Sequence, residues 1–157
     1  MIETEAKIKI TKDEFENFVN KFKRPYFFVQ ENILYELPKG FVRIRKENEK
    51  KIITLKKSAK GEFNSRTEIE FETKSSLTTL KEFFKNLGLV ETISYRKRRA
   101  NTSQNECLIS LDILGGDDYY IEVEGPPEKI KQTLRELKLD NHELETKSYL
   151  KIICSQE

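Results

Sequence analysis

The sequence predicts an antiparallel α+β protein: an eight-stranded β-barrel with about four helices packed outside. Three observations predict it. Charged and apolar residues alternate with period two along about eight segments of the chain, and period two marks a strand. The gaps between several segments are short enough for hairpins, which join antiparallel neighbours. Eight strands suffice to close a barrel whose interior holds side chains or one small ligand.

The elements follow in order. Ile2 to Ile10 alternates strictly, with Ile2, Thr4, Ala6, Ile8 and Ile10 on one face and Glu3, Glu5, Lys7 and Lys9 on the other. Thr11 and Glu14 form a capping box, and Phe15, Phe18, Val19 and Phe22 follow at helical spacing until Pro25. Tyr26 to Leu37 reads as a strand and Pro38-Lys39-Gly40 as a turn. Phe41–Lys46, Lys51–Ser58 and Asn64–Thr73 are three further strands, joined through Glu47–Lys50 and Ala59-Lys60-Gly61-Glu62. Ser75 or Ser76 caps a second helix carrying Leu77, Leu80, Phe83, Phe84 and Leu87, with Gly88 just past its end. Strands at Val90–Arg99, Cys107–Leu114 and Tyr119–Gly125 come next. Helices near Pro127–Leu137 and Glu143–Cys154 finish the chain.

The 157 residues carry no internal linker or repeat, which predicts one domain over 1–157. Charged residues make up 36%, against about 25% in ordinary domains, yet 29 basic and 27 acidic residues nearly cancel at +2. A nucleic-acid binder is usually more basic, so neither nucleic acid nor a membrane is expected as partner. No apolar run approaches the length of a membrane span, and the N-terminus lacks an apolar signal region, so a cytoplasmic protein is expected. Cys107 and Cys154 read as two reduced structural thiols, and His142, the one histidine, reads as a surface residue outside the chemistry.

The informative feature is the charged face. Beside Glu3, Glu5 and Lys7 it holds Arg43 and Arg45, then Thr54 and Lys56, then Arg66, Glu68, Glu70 and Glu72. Lys97 and Arg99 share a face with Tyr95; Asp112 and the pair Glu122 and Glu124 complete the set. If the helices cover the apolar outer face of a closed barrel, these charges line its lumen. Carboxylates at i and i+2 on neighbouring strands can converge on a hard divalent cation such as Mg²⁺. Guanidinium forks match phosphate oxygens. Both together in one lumen point to a metal–polyphosphate complex.

Glu3-Thr4-Glu5-Ala6-Lys7 is an ExExK motif. With it come Gln30-x-Asn32-x-Leu34-Tyr35, Val42-Arg43-Ile44-Arg45, Thr54-Leu55-Lys56, Arg66-x-Glu68-x-Glu70, Lys97-x-Arg99, Leu111-Asp112, Glu122-Val123-Glu124 and Ser148-Tyr149-Leu150. In this order they resemble the CYTH superfamily, the triphosphate tunnel metalloenzymes, over the whole chain. The resemblance implies an eight-stranded tunnel that binds a triphosphate and Mg²⁺ or Mn²⁺. It implies Glu3, Glu5, Glu122 and Glu124 as metal-side carboxylates, with Asp112 and Glu68 or Glu70 beside them. It implies Lys7, Arg43, Arg45, Lys56, Arg66, Lys97 and Arg99 as the phosphate grip, and Lys147 as a basic cap at the tunnel mouth. Lys56, Glu5 and Glu124 are the candidate catalytic residues, Lys56 assisting the leaving phosphate. Asn32 stands where some triphosphatases of the family carry a Tyr that pairs with this lysine, and Leu34 replaces another common Tyr.

The expected activity is therefore metal-dependent hydrolysis of a small triphosphate, whether inorganic triphosphate, thiamine triphosphate or a nucleoside triphosphate, by a monomer or homodimer. The alternatives are a class IV adenylyl cyclase, making cyclic AMP and pyrophosphate from ATP, and a non-catalytic polyphosphate- or nucleotide-binding module.

Overall fold

The computed structural model describes residues 1–58 and 63–156. The strands are β1 (Ile2–Ile10), β2 (Phe27–Leu37), β3 (Gly40–Glu47), β4 (Lys50–Ser58), β5 (Asn64–Thr73), β6 (Glu91–Gln104), β7 (Cys107–Leu114) and β8 (Asp118–Glu124). The helices are α1 (Lys12–Lys21), α2 (Leu77–Asn86), α3 (Pro127–Glu136) and α4 (Tyr149–Cys154). The strands close into a barrel in the order β1-β5-β4-β3-β2-β6-β7-β8, every pairing antiparallel. β1 makes the closure. Its first half pairs with β5, from Ile2↔Thr67 to Glu5↔Asn64, and its second half with β8, from Glu5↔Glu124 to Ile10↔Tyr119. No helix among the described residues is long and apolar enough to cross a membrane.

Alternation assigns the faces. Ala6, Ile8 and Ile10 of β1, Ile109 and Leu111 of β7, and Ile121 and Val123 of β8 point outward. There they bury under Phe15 and Phe18 of α1 and Ile130 and Leu134 of α3. α1 begins on the expected capping box, with Glu14 N–H donating to Thr11 Oγ1 at 3.1 Å and Thr11 N–H to Glu14 Oε2 at 2.8 Å. On another side, Tyr35, Ile44 and Ile53 pack under Leu80 and Phe84 of α2. That helix is capped by Ser76 and ends on Gly88 at φ +82, whose N–H reaches Lys85 O while Leu89 N–H reaches Phe84 O. This is the left-handed C-terminal turn for which glycine is suited.

The sequence expectations differ from the structure in three places. The expected strand at Val90–Arg99 runs on to Gln104, because the polar run Asn101–Gln104 is carried by pairing with Cys107–Ser110. Asn105 and Glu106, both at positive φ, make the two-residue turn between them. The last helix starts at Tyr149, not Glu143: Glu145 N–H donates to Lys7 O at 2.7 Å, and Ser148 caps the helix on Lys151 N–H. Tertiary pairing overrides the helix propensity of Glu143 to Lys147. Outer-face cover is also partial, since Ile69 and Phe71 of β5, Phe83 of α2 and Leu87 just past it remain exposed. The expected connection Ala59-Lys60-Gly61-Glu62 lies outside the described residues.

α4 sits apart from the other helices. Its Tyr149, Leu150 and Ile152 pack on Leu34, Phe41, Leu114 and Tyr120, side chains of the inward face. The helix therefore stops one end of the barrel.

Candidate functional site

The inward-facing side chains surround a cavity of about 310 Å³. Its wall includes Glu3, Glu5 and Lys7 of β1, Arg43 and Arg45 of β3, and Lys56 of β4. Arg66, Glu68 and Glu70 of β5, Lys97 and Arg99 of β6, and Glu122 and Glu124 of β8 complete the ionic lining. Thirteen ionic side chains assigned by sequence thus meet in one lumen. Two do not. Lys147 is exposed and absent from the wall; only its backbone carbonyl points in, accepting from Lys7 Nζ at 3.3 Å. Asp112 is fully buried behind the wall, with 0% of its surface accessible.

The charges are sorted by position. Around Asp112, Lys97 Nζ donates at 3.0 Å, Arg99 donates from Nε at 2.6 Å and from Nη2, and Tyr149 donates its hydroxyl at 2.6 Å. Arg99 Nη2 also bonds Glu122, which stands 3.6 Å from Lys7 Nζ. On the other side Lys56 Nζ bridges Glu3 at 2.7 Å and Glu68 at 2.9 Å. The β3 guanidiniums are different. Arg43 Nη2 donates to Thr54 Oγ1 at 3.1 Å and lies 3.8 Å from Glu70, while its buried Nε has no hydrogen-bond partner. Among the described residues Arg45 Nε donates only to the neutral Asn32 Oδ1, at 2.9 Å.

Titration behaviour follows this sorting. Burial and the neighbouring Arg43 and Arg99 bring Arg45 down to about 9. Burial and Arg99 bring Lys97 down to about 7, against the pull of Asp112 and Glu122. Burial, then Arg43, lowers Lys56, opposed by Glu3 and Glu5. Burial works against ionised Asp112 and Glu122, yet Arg99 and Lys97 outweigh it and hold both below the ordinary carboxylate range. Glu124 goes the other way, to about 7, through burial and the carboxylates of Glu3, Glu5 and Glu122, with Lys56 opposing. The lumen thus has a cation-rich β3 wall and a carboxylate-crowded β1–β8 wall.

The CYTH domain family model matches residues 1–151. The chain belongs to the CYTH domain family. A conserved hypothetical protein from Pyrococcus furiosus superposes on this CYTH domain with a TM-score of 0.82 at 26% identity, covering 95% of this chain and 98% of its own. A Pyrococcus horikoshii protein gives 0.82 at 24% identity, with the same 95% and 98% coverage. A Hippeastrum protein, described as a candidate adenylyl cyclase with a dominant triphosphatase activity, gives 0.69 at 19% identity, covering 99% and 96%. No curated protein sequence matches the chain.

The donors of this CYTH domain suit a divalent ion in chemistry. Glu5 and Glu124 are direct cross-strand partners, and Glu3 and Glu122 stand two residues away on the same face. The set is all hard oxygen, as Mg²⁺ or Mn²⁺ requires. Glu124 is raised first by burial and then by Glu3, Glu5 and Glu122, and a cation would relieve that second part. Among the described residues no three carboxylates are already gathered as a metal cluster; Glu3 is turned onto Lys56 instead.

Several lumen groups escaped the site assignment made from sequence. Gln30, Asn101 and Tyr149 line the cavity, Asn32 holds Arg45, and Tyr95 faces it beside Lys97. The period-two pattern puts Tyr95 on the charged face. Tyr149 enters from a helix, and its motif Ser148-Tyr149-Leu150 gave it no role in the lumen.

Proposed function

We propose that the lumen binds a small triphosphate and hydrolyses it at the terminal phosphate with a divalent ion. The observation that carries the reading is the β3 wall. Arg43 is buried and Arg45 half-buried, and among the described residues they have one carboxylate between them, Glu70 at 3.8 Å from Arg43. Burying a charge without a partner is costly, so such a pair is built for an anion that arrives. Guanidinium forks suit phosphate oxygens, and one phosphate per fork accounts for two forks at i and i+2.

In this reading Arg43 and Arg45 bind and orient the phosphate chain, and Lys7, Lys97 and Arg66 add charge around it. Lys56, made more acidic by burial and Arg43, donates a hydrogen bond to the leaving phosphate. Phosphoryl transfer depends mainly on such positioning and charge neutralisation. Glu3, Glu5 and Glu124 would hold the divalent ion, which supplies charge neutralisation on phosphate oxygens and an oriented water. Asp112 and Glu122 are assigned instead to holding Lys97, Arg99 and Lys7, since Asp112 has both oxygens occupied. A dominant triphosphatase activity is also what the Hippeastrum neighbour is described as having.

The test is a panel of tripolyphosphate, thiamine triphosphate and nucleoside triphosphates with Mg²⁺ or Mn²⁺, scored for phosphate, pyrophosphate and cyclic AMP. Phosphate release is the expected product. Pyrophosphate with cyclic AMP would replace the hydrolase by a cyclase, and tight binding without any product would leave a binding module.

A further inference from the structure

Lys7 and Lys97 stand on β1 and β6, with β8 and β7 between them, yet both ammonium groups lie against one aromatic ring. Lys7 Nζ is 4.3 Å and Lys97 Nζ 4.2 Å from the centroid of Tyr149. The ring is itself fixed. Its hydroxyl donates to Asp112 Oδ2 at 2.6 Å, and Tyr120 meets it edge-on at 5.4 Å and 89°. The segment before it holds Lys7 at two more points, through Lys147 O at 3.3 Å and through Glu145 N–H on Lys7 O at 2.7 Å.

A lysine ammonium is a point charge on a flexible stem, so its place is set by what it leans on. Lys7 Nζ has two carboxylates to collapse onto, Glu5 and Glu122. It stays 3.6 Å from each, beyond a tight ion contact. The electron-rich ring face and the Lys147 carbonyl hold it off them. Lys97 is held between the ring and Asp112, which the ring's own hydroxyl locks.

We infer that Tyr149 is a positioning residue for the phosphate grip. Its ring sets where the Lys7 and Lys97 ammonium groups stand, and its hydroxyl fixes the Asp112 that anchors Lys97 and Arg99. The inference rests on the triphosphate reading of the same lumen. Two charges held at fixed places select phosphate chains by length; two free ones attract any anion. The terminal helix thereby tunes the selectivity of a barrel to which it contributes no strand.

The experiment titrates inorganic tripolyphosphate and pyrophosphate into the full chain in chelator, for wild type, Tyr149→Phe and Tyr149→Leu, and records melting temperatures alongside. Wild type should prefer tripolyphosphate. Tyr149→Phe keeps the ring and should bind within about threefold of wild type, whereas Tyr149→Leu should lose about tenfold or more and most of the preference. Rescue by phenylalanine identifies the ring as the agent. Tyr149→Met makes the same comparison if the leucine variant does not fold. A leucine or methionine variant that melts lower but binds with wild-type affinity and preference overturns the inference, leaving Tyr149 as packing alone. Wild type that binds tripolyphosphate neither in chelator nor with Ca²⁺ overturns the triphosphate reading, and this inference with it.

Discussion

Asp112 gives both carboxylate oxygens to Lys97, Arg99 and Tyr149 at zero exposure. A buried carboxylate with donors from three side chains organises cations that would otherwise repel. Asp112→Asn keeps the shape and removes the charge, so Lys97 loses its paired carboxylate and Arg99 is left with Glu122 alone. Loss of one partner of a buried pair costs about 3–5 kcal/mol, so a drop of that size in chemical denaturation is expected; a variant as stable as wild type would remove Asp112 from its anchoring role. Glu124 offers a pH test. Its folded pKa of about 7 lies above the ordinary 4.5, so between these values the folded state holds a proton that the unfolded state has released. Stability of the metal-free protein should therefore fall as pH rises from about 4.5 to about 7 through this group, and Glu124→Gln should lack that part of the slope. Urea midpoints of both proteins in chelator, at either end of the window, measure it.

At the scale of elements, β3 leaves no room for a side chain against β4 at Gly40. A Cβ there would lie 1.9 Å from the carbonyl oxygen of Lys56. Gly40→Ala must push the two strands apart where Lys56 is presented to the lumen. It should cost about 1–3 kcal/mol or more and lower activity beyond the loss of folded protein; wild-type turnover per folded molecule would show that this contact does not position Lys56. The C-terminus of α3 offers the opposite change. Lys138 sits at φ +59 where the helix ends, its N–H on Arg135 O and that of Leu139 on Leu134 O. A side chain there costs about 1 kcal/mol or more relative to glycine, part of which glycine returns as unfolded-chain entropy. Lys138→Gly should raise the melting temperature slightly, a sign that calorimetry checks.

Over the whole molecule, legibility divides by range. The strands, their inward faces and the two long capped helices could be read because period two, period 3.6 and caps are local signals. Ring closure turned that pattern into the lumen, bringing Glu5 opposite Glu124 across 119 positions of sequence. Asp112 could not be placed in depth, because its burial depends on Arg99 from the next strand and Tyr149 from the terminal helix. Lys147 and Tyr149 exchanged roles for the same reason: the segment from Glu145 pairs with β1 rather than coiling, so a carbonyl and a ring enter the lumen and the lysine side chain does not.

A lumen with two under-compensated guanidiniums should also be more stable when filled. Ligand at a hundredfold excess over its dissociation constant adds about 2.7 kcal/mol, with about 2–4 °C of melting temperature per kcal/mol at this size. The most direct test of the anion-site claim measures both sides of it in one variant. Tripolyphosphate is titrated calorimetrically into wild type and Arg45→Met, and the two are melted without ligand. If Arg45 is placed to meet phosphate, the variant loses about 10–100-fold in affinity, the worth of a charge-assisted bond, and melts at or above wild type because a half-buried charge that bonds only neutral Asn32 among the described residues is gone. Unchanged affinity together with a lower melting temperature would contradict the account, making Arg45 a structural cation and the β3 wall no phosphate grip.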